Sequence, residues 1–165
     1  MPIKKHNPYR IVQMFEEEMA LYTGAKYAVA VSSCTDALLM ACAYEKVKEK
    51  EVTVPKRTYI SVPQSIVHAG GKPVFEDIDW KGVYQLKPFP IYDSAKRLTS
   101  NMYIPGTHMC LSFHLKKPLC IGKGGMIITD KKEAYDWFIK ARYEGRNFED
   151  GVSYQEDSID IMGWN

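Results

Sequence analysis

Short apolar runs alternate along the chain with longer stretches in which apolar residues recur every three or four positions. The short runs are typical of buried strands and predict them at residues 27–31, 52–55, 73–77, 91–93, 108–113 and 126–130. The longer stretches predict helices at residues 8–22, 37–41, 62–69 and 131–144. Strands that alternate with helices are typical of a mostly parallel sheet with helices on both faces. The pattern therefore predicts an α/β fold.

The connections between these elements refine the expected sheet. Residues 81–89 show no helical period and contain Pro88, so we expect a loop there and no central strand. Residues 126–130 follow the preceding strand after a short turn, whereas parallel strands need a crossover of about a dozen residues, so this strand should be antiparallel. With 165 residues, 45% of them hydrophobic, we expect a single domain over residues 1–165.

Composition narrows the classes of function. The formal net charge is only +2 and no basic stripe carries interleaved aromatic residues, which argues against nucleic-acid binding. The cysteines lack Cys-x-x-Cys spacing and lie in or beside apolar segments, which favours reduced thiols over disulfides or a zinc site: Cys34, Cys42, Cys110 and Cys120. The amino terminus is polar and no apolar run has membrane-spanning length. We expect a cytoplasmic protein without membrane, metal or nucleic-acid contacts.

The stretch 112–125, SFHLKKPLCIGKGG, is the first candidate for chemistry because it joins two predicted core strands. It places Lys116 and Lys117 at the end of one strand, where partial desolvation makes a neutral, nucleophilic amine easier to form. A solvated basic turn explains the same two lysines and is the commoner case. The choice between these interpretations depends on the other residues that accompany the lysines.

A second candidate site follows the first predicted strand, in the sequence Ser-Ser-Cys-Thr-Asp at residues 32–36. A strand, a hydroxyl-rich turn and a helix present free backbone N–H groups and the positive end of the helix dipole to an anion. Ordinary capping of the helix by Ser33 or Thr35 accounts for the same residues. Thr35, Tyr59 and Asp77 all follow predicted strands, so they should meet at the carboxyl edge of the sheet, where such folds bind ligands.

An ordered set of segments resembles the large domain of the pyridoxal-phosphate-dependent sugar aminotransferases of the DegT/DnrJ/StrS type. The similar segments cover residues 15–16, 22–31, 33–38, 54–59, 70–79, 93–95, 112–117, 122–126 and 163–165. No single segment is specific, but their order holds over nearly the whole chain. The resemblance implies a trimmed aspartate-aminotransferase-like domain of fold type I, with pyridoxal 5'-phosphate as cofactor.

The resemblance also implies roles for individual residues around the cofactor. Lys117 matches the catalytic lysine that binds the cofactor and moves the proton, and Lys116 is then a bystander. Asp93 matches the carboxylate that faces the pyridine nitrogen and keeps it protonated. Tyr59 matches the aromatic residue that stacks on the ring, and such contacts contribute about 1 kcal/mol.

The phosphate positions of the family are matched by Thr35, by the backbone N–H of Asp36 and by Ser112. Asn165 matches a residue that reaches the phosphate from the second subunit of a dimer. The resemblance therefore implies a homodimer, or a complex with a separately encoded partner subunit.

The chain departs from the family pattern at several positions. Cys34 stands in a glycine position, and Lys123 replaces an acidic residue. Lys96 replaces a glutamine that hydrogen-bonds the ring oxygen of the cofactor, although a cation there can still pair with that oxygen. The family has a longer segment between residues 79 and 93, and a further small domain that closes over the substrate, which we expect to be absent here.

The resemblance implies transamination of a nucleotide-linked keto-sugar, with glutamate as the amino donor. The alternative is a non-catalytic module that binds pyridoxal phosphate or a sugar nucleotide, or one subunit of a split enzyme. Retention of both Lys117 and Asp93 favours catalysis. An open site favours the alternative, because entry of water and loss of positioning slow the reaction.

Overall fold

A computed structural model describes residues 10–147 and 158–164 of the chain. Within these ranges the elements are, in chain order, α1 (Arg10–Thr23), β1 (Tyr27–Val31), α2 (Cys34–Tyr44), β2 (Glu51–Pro55), α3 (Ser61–His68), β3 (Lys72–Glu76), β4 (Tyr84–Leu86), β5 (Ile91–Asp93), β6 (His108–Ser112), β7 (Gly125–Thr129) and α4 (Lys132–Ala141). The predicted α/β class is confirmed, and each predicted strand has its counterpart. No helix in the described ranges has the length and apolar character needed to cross a bilayer.

The strands form one continuous array. Five of them hydrogen-bond in the order β1-β7-β6-β5-β4, and β2 and β3 form a separate parallel pair. Two backbone hydrogen bonds between Thr53 and Lys87, of 2.8 and 3.1 Å, connect β2 to the end of β4 in antiparallel orientation. The array therefore reads β1-β7-β6-β5-β4-β2-β3 from one edge to the other.

The sheet is mixed in its pairing although most of its strands run in one direction. β7 is antiparallel to β1 and β6, and β4 is antiparallel to β5. Consequently β1, β2, β3, β5 and β6 share one direction, and the interposed β4 and β7 make the remaining pairs antiparallel. The predicted antiparallel strand at residues 126–130 is confirmed as β7.

The expectation of a loop without a strand at residues 81–89 is wrong. Tyr84–Leu86 forms β4, which lies between β5 and β2. Only three residues are extended, and Phe89 N–H donates to the Leu86 carbonyl at 3.0 Å to turn the chain back into β5. A strand this short has too few positions to display an alternating apolar pattern.

Helices cover both faces of the sheet, as predicted. Alternate strand residues such as Val29, Cys110 and Ile127 are buried against α2, α3 and α4. Their neighbours, including Met109 and Met126, are buried against α1 on the opposite face. Full burial of an aliphatic side chain contributes about 1.5–3 kcal/mol, so the two layers hold the strands in a fixed register.

The edge strand β1 is fastened by an ion pair from two helices. Glu16 of α1 accepts the Ala30 N–H at 2.7 Å, and Arg142, just after α4, donates to the Ala30 carbonyl at 3.1 Å. Arg142 also pairs with Glu16 itself. The pair therefore satisfies backbone groups that an edge strand would otherwise expose, immediately before the turn that opens α2.

Candidate active site

The carboxyl ends of the five strands that share a direction meet at one edge of the sheet, where the predicted site residues lie. The turn between β1 and α2 is held there by Gly125 at the start of β7. A Cβ atom on Gly125 would lie 2.2 Å from the Ser33 carbonyl carbon and 2.4 Å from the Cys34 nitrogen. No side chain fits between these backbones, so this glycine sets the position of the turn.

The amino terminus of α2 offers donors to an anion. Ser33 caps the helix: its Oγ accepts the Asp36 N–H at 3.1 Å and donates to Asp36 Oδ2 at 2.7 Å. The Asp36 N–H, expected to bind phosphate, therefore already has a partner. The N–H groups of Cys34 and Thr35 lie in the first turn, where no helical carbonyl can accept them. In the described ranges the Thr35 hydroxyl also has no hydrogen-bond partner.

Asp93 is the buried carboxylate of this edge. It ends β5, is 6% exposed, and accepts hydrogen bonds from the Ala95 N–H at 2.8 Å and the Tyr84 hydroxyl at 2.7 Å. Burial raises the pKa of Asp93 above its ordinary value, while these two hydrogen bonds and the charges of Lys117 and Lys96 act in the opposite direction. A carboxylate has about four acceptor positions, so Asp93 can accept a further donor.

Lys117 is the amine of the site, and the structure separates it from Lys116. Lys117 is half-buried in the loop between β6 and β7, whereas Lys116 is exposed. The charge of Lys117 acts on both Asp93 and Cys34 and opposes the rise in pKa that burial causes at each of them. Within the described part of the chain its Nζ has no hydrogen bond or ion pair, so this amine is available to a ligand.

Lys96 lies beside the same carboxylate. Its Nζ is 5.3 Å from the centre of the Trp80 ring, and its charge lowers the pKa of Asp93. The Trp80 ring is fixed in turn, because its Nε1–H donates to the Arg57 carbonyl at 3.0 Å. The role expected for Lys96, as the partner of the cofactor ring oxygen, stays a prediction.

Cys34 is the first residue of α2, and the charges of Asp93, Lys117 and Asp36 act on its thiol. Its side chain is half-buried, and desolvation together with the charge of Asp93 raises the pKa of the thiol well above its ordinary value. Cys34 is therefore an uncharged thiol at neutral pH, and it replaces an expected glycine without adding charge to the site.

The remaining predicted residues lie on the same edge of the sheet without contacting Asp93, Lys117 or Lys96. Tyr59 follows β2 and is 73% exposed, so its ring is free to stack on a ligand. Ser112 ends β6, half-buried, and its Oγ accepts the His114 N–H at 3.5 Å. Asp77 pairs instead with Arg57 at 3.2 Å on the surface. The prediction for Asn165 lies outside the described residues.

Tyr84, Thr58 and Trp80 are functional candidates that the sequence did not indicate. Tyr84 bonds directly to Asp93, the Thr58 hydroxyl bonds to Tyr84, and the Trp80 and Tyr84 rings make an edge contact with centroids 4.7 Å apart and planes at 60°. Their proximity depends on the pairing of β4 with β5, which opposes Tyr84 and Asp93. The only local signal was the alternation of apolar Tyr84 and Leu86 around a glutamine.

The donors and acceptors of this edge fit pyridoxal phosphate. A helix terminus with the unpartnered Thr35 hydroxyl suits the phosphate, and a buried carboxylate with acceptor positions to spare suits a protonated pyridine nitrogen. An unpaired amine suits the aldehyde, and an exposed aromatic ring suits the face of the pyridine. A cavity of about 610 Å³ lies beside the same turn, lined by Ser32 and Asp36 together with residues of α1 and α4 and Trp164; Lys117, Asp93 and Lys96 are not among its lining residues.

Comparison with known sequences identifies the family of the chain. The sequence profile of the DegT/DnrJ/EryC1/StrS aminotransferase family matches residues 4–99 and 104–165. The spore coat polysaccharide biosynthesis protein SpsC of Bacillus subtilis is 46% identical over 172 aligned positions, which cover 76% of this chain and 43% of SpsC. The UDP-2-acetamido-2-deoxy-3-oxo-D-glucuronate aminotransferase of Pseudomonas aeruginosa is 27% identical, with 79% and 50% covered.

Solved structures share the fold. An aminotransferase of the same family from Brucella abortus superposes with a TM-score of 0.75 at 20% identity, covering 92% of this chain and 53% of that one. Helicobacter pylori PseC, an aminotransferase of pseudoaminic acid biosynthesis, gives 0.73 at 18% identity. The chain spans about half the length of the curated relatives it matches. The profile covers almost the whole chain, and these neighbours have the fold of type I aminotransferases that use pyridoxal phosphate. The chain therefore belongs to the DegT/DnrJ/EryC1/StrS aminotransferase family.

Proposed function

We propose that this chain forms the pyridoxal-phosphate-binding core of an aminotransferase that acts on a nucleotide-linked keto-sugar, with glutamate as the amino donor. The observation that carries the proposal is the buried Asp93 carboxylate beside the unpaired Lys117 amine, at the edge where α2 begins. The sugar-nucleotide substrate is supported by the UDP-linked keto-sugar in the name of the Pseudomonas relative and by the polysaccharide role in the name of SpsC. Glutamate rests on the family resemblance alone.

When bound, pyridoxal phosphate supplies an electron sink for the negative charge that develops on the amino donor. Lys117 would hold the cofactor through Nζ, and the same amine would carry the proton between donor and acceptor carbons. Asp93 would accept a hydrogen bond from the pyridine nitrogen and keep it protonated. We assign the ring oxygen to Lys96, because the resemblance matches this position to the residue that hydrogen-bonds that oxygen and the Lys96 charge acts on the same carboxylate.

The other residues of the site would bind the phosphate and orient the ring of the cofactor. The Cys34 and Thr35 N–H groups and the Thr35 hydroxyl would bind the phosphate, and Ser112 would complete that site from β6. Asp36 would contribute by fixing the turn through Ser33 rather than by binding the anion itself. Tyr59 would cover one face of the ring and exclude water from it.

Assembly and location are also part of the proposal. Large apolar side chains near the site are exposed, among them Tyr59, Ile60, Leu115 and Ile121, at 56–73%. Apolar surface of this kind favours a subunit interface, either with a second copy or with a partner subunit, and Asn165 would then serve the neighbouring site. A monomer in sedimentation equilibrium at micromolar concentration would contradict this assembly. The free cysteines support a reducing, cytoplasmic location for a single domain over residues 1–165.

Trapping the cofactor on its lysine tests the proposal. The protein is incubated with pyridoxal phosphate, reduced with borohydride, digested and examined by mass spectrometry for the modified residue. We expect the adduct on Lys117, complete loss of that adduct in Lys117→Ala, and its retention in the matched control Lys116→Ala. Equal labelling of both lysines, or surface labelling alone, would refute specific binding.

The alternative function is a module that binds the cofactor without turnover. The openness of the site favours it, because Tyr59 is largely exposed and Lys117 is only half-buried. The two functions differ in a single half-reaction. A catalytic site converts glutamate to one equivalent of 2-oxoglutarate per bound cofactor, and Lys117→Ala abolishes this. Bound cofactor with no 2-oxoglutarate from glutamate, and no keto acid from other amino donors, would support the binding module.

A further inference from the structure

A chain of hydrogen bonds reaches Asp93 from the segment between β3 and β5. The Tyr84 hydroxyl lies 2.7 Å from Asp93 Oδ2, and the Thr58 hydroxyl contacts the same Tyr84 oxygen. Tyr84 is 7% exposed and its ring packs against Trp80. Thr58 directly precedes Tyr59, so the chain connects the loop of the proposed stacking residue to the proposed partner of the pyridine nitrogen.

The direction of donation along this chain is fixed. Burial and the charge of Asp93 raise the pKa of Tyr84 far above its ordinary value, so the phenol keeps its proton. Tyr84 has one proton, and an ionised Asp93 can only accept, so Tyr84 donates to Asp93. The Thr58 hydroxyl must then donate to Tyr84. Thr58 thereby orients the Tyr84 hydroxyl toward the carboxylate.

Asp93 needs this donor because its surroundings favour the neutral acid. Burial is the largest influence on its pKa, and in the described ranges its hydrogen-bond donors are Tyr84 and the Ala95 N–H. The charged groups that act on it are Lys117 and Lys96, and the uncharged thiols of Cys34 and Cys110 also face it. A protonated Asp93 could not hold the proton of a pyridinium nitrogen.

We propose that Tyr84 is a positioning residue for Asp93: its hydroxyl keeps the carboxylate ionised and fixed in orientation, and Thr58 aligns that hydroxyl. The consequence for the cofactor rests on the proposed function, whereas the coupling between Tyr84 and Asp93 belongs to the protein alone. The two parts can therefore be tested separately.

The first test uses the protein without cofactor. The carboxyl carbons of aspartate are labelled with ¹³C, the Asp93 signal is identified by its loss in Asp93→Asn, and its titration is followed by NMR. In Tyr84→Phe we expect the Asp93 midpoint to move to higher pH, because the variant loses a donor that stabilises the ionised form. The matched control is Tyr92→Phe, which removes a hydroxyl bonded to Gln85 at 3.3 Å in the same strand pair and should leave the midpoint unchanged.

The second test measures cofactor binding. A hydrogen bond to a charged group is worth enough to change an equilibrium about tenfold, so Tyr84→Phe should weaken pyridoxal phosphate binding by about tenfold, and Tyr92→Phe should not. An Asp93 midpoint identical to wild type in a folded Tyr84→Phe protein would overturn the inference. If the Tyr84→Phe protein does not fold, the Thr58→Val protein provides the test instead. It should move the Asp93 midpoint to higher pH by a smaller amount, and an unchanged midpoint would overturn the role of Tyr84. If the wild type fails to bind the cofactor, the proposed function falls, and the titration still decides the coupling.

Discussion

Removal of Arg142 should destabilise the fold strongly, because it leaves a charge buried without its partner. Glu16 is 6% exposed, and its Oε1 is shared by the Arg142 guanidinium and the Ala30 N–H. In Arg142→Ala the carboxylate keeps only the backbone donor, and the Ala30 carbonyl loses the guanidinium. Breaking a buried ion pair on one side costs about 3–5 kcal/mol. The Arg142 side chain is 21% exposed, so water replaces part of the lost contact and the lower end, about 3 kcal/mol, is expected.

Such a loss is large beside the usual stability of a domain, about 5–15 kcal/mol. At this chain length it corresponds to a fall in melting temperature of about 6–12 °C, provided that unfolding is two-state. Urea denaturation followed by circular dichroism measures the free energy of unfolding directly. The matched control on the same helix is Lys140→Ala, whose ion pair with Asp160 at 2.7 Å is 30–41% exposed and should contribute at most about 1 kcal/mol.

The double variant Glu16→Gln with Arg142→Ala separates charge burial from lost packing. A neutral amide can still accept the Ala30 N–H, so the double variant should be more stable than Arg142→Ala alone. Two results would refute the reasoning: a loss below about 1 kcal/mol in Arg142→Ala, or no recovery in the double variant.

Two further substitutions test the site's construction. Gly125→Ala should lower the free energy of unfolding, measured by urea denaturation, by about 3 kcal/mol or more, because its Cβ would overlap the Ser33–Cys34 backbone. The control is Gly106→Ala, where a Cβ meets nothing within 4 Å but φ is +77°, and it should lose only about 1 kcal/mol. Equal losses in the two variants would contradict the close approach at Gly125. Asp93→Asn should abolish tight cofactor binding yet stabilise the apoprotein at neutral pH. Folding raises the pKa of Asp93, so this carboxyl group stabilises the folded state below its unfolded-state pKa, and that stabilisation is lost as pH rises through the folded-state pKa. An Asp93→Asn protein less stable than wild type at pH 7 would contradict this expectation.

The sequence predicts strands most directly where a contiguous apolar run reports its own burial, whereas β3 contains no buried residue. β6 and β7 are buried along nearly their whole lengths, and such runs need no knowledge of their partners. The sequence could not predict β4 because the strand has only three residues, and it could not predict the strand order because that order depends on pairing between distant residues. The position of β4 is determined by its hairpin pairing with β5 and by the hydrogen bonds between Thr53 of β2 and Lys87, the residue that follows β4.

The same distinction applies to the candidate site, where some residues could be predicted from the sequence and others could not. Asp93 and the turn at residues 32–36 follow apolar runs, so their place at the sheet edge could be inferred from the chain alone. The choice of Lys117 over Lys116 could not, because both lysines follow the same strand; only the family resemblance preferred one, and burial in the folded chain distinguishes them. Tyr84 was not predicted, because its partner Asp93 is nine residues away across a hairpin.

The two halves of the site are held by different parts of the chain. The phosphate side depends on Gly125 beneath the turn and on Ser65, whose hydroxyl lies 3.1 Å from the Thr35 carbonyl. The groups around Asp93 depend instead on residues 80–84, because Tyr84 donates to the carboxylate and Trp80 carries Lys96 on its ring. Changes in the β3–β5 segment should therefore alter the environment of Asp93, the proposed partner of the cofactor nitrogen, and of Lys96, while the start of α2, the proposed phosphate site, stays in place. The connection that the sequence presented as a loop therefore supplies, through Tyr84, one of the two hydrogen bonds that Asp93 accepts within the described residues.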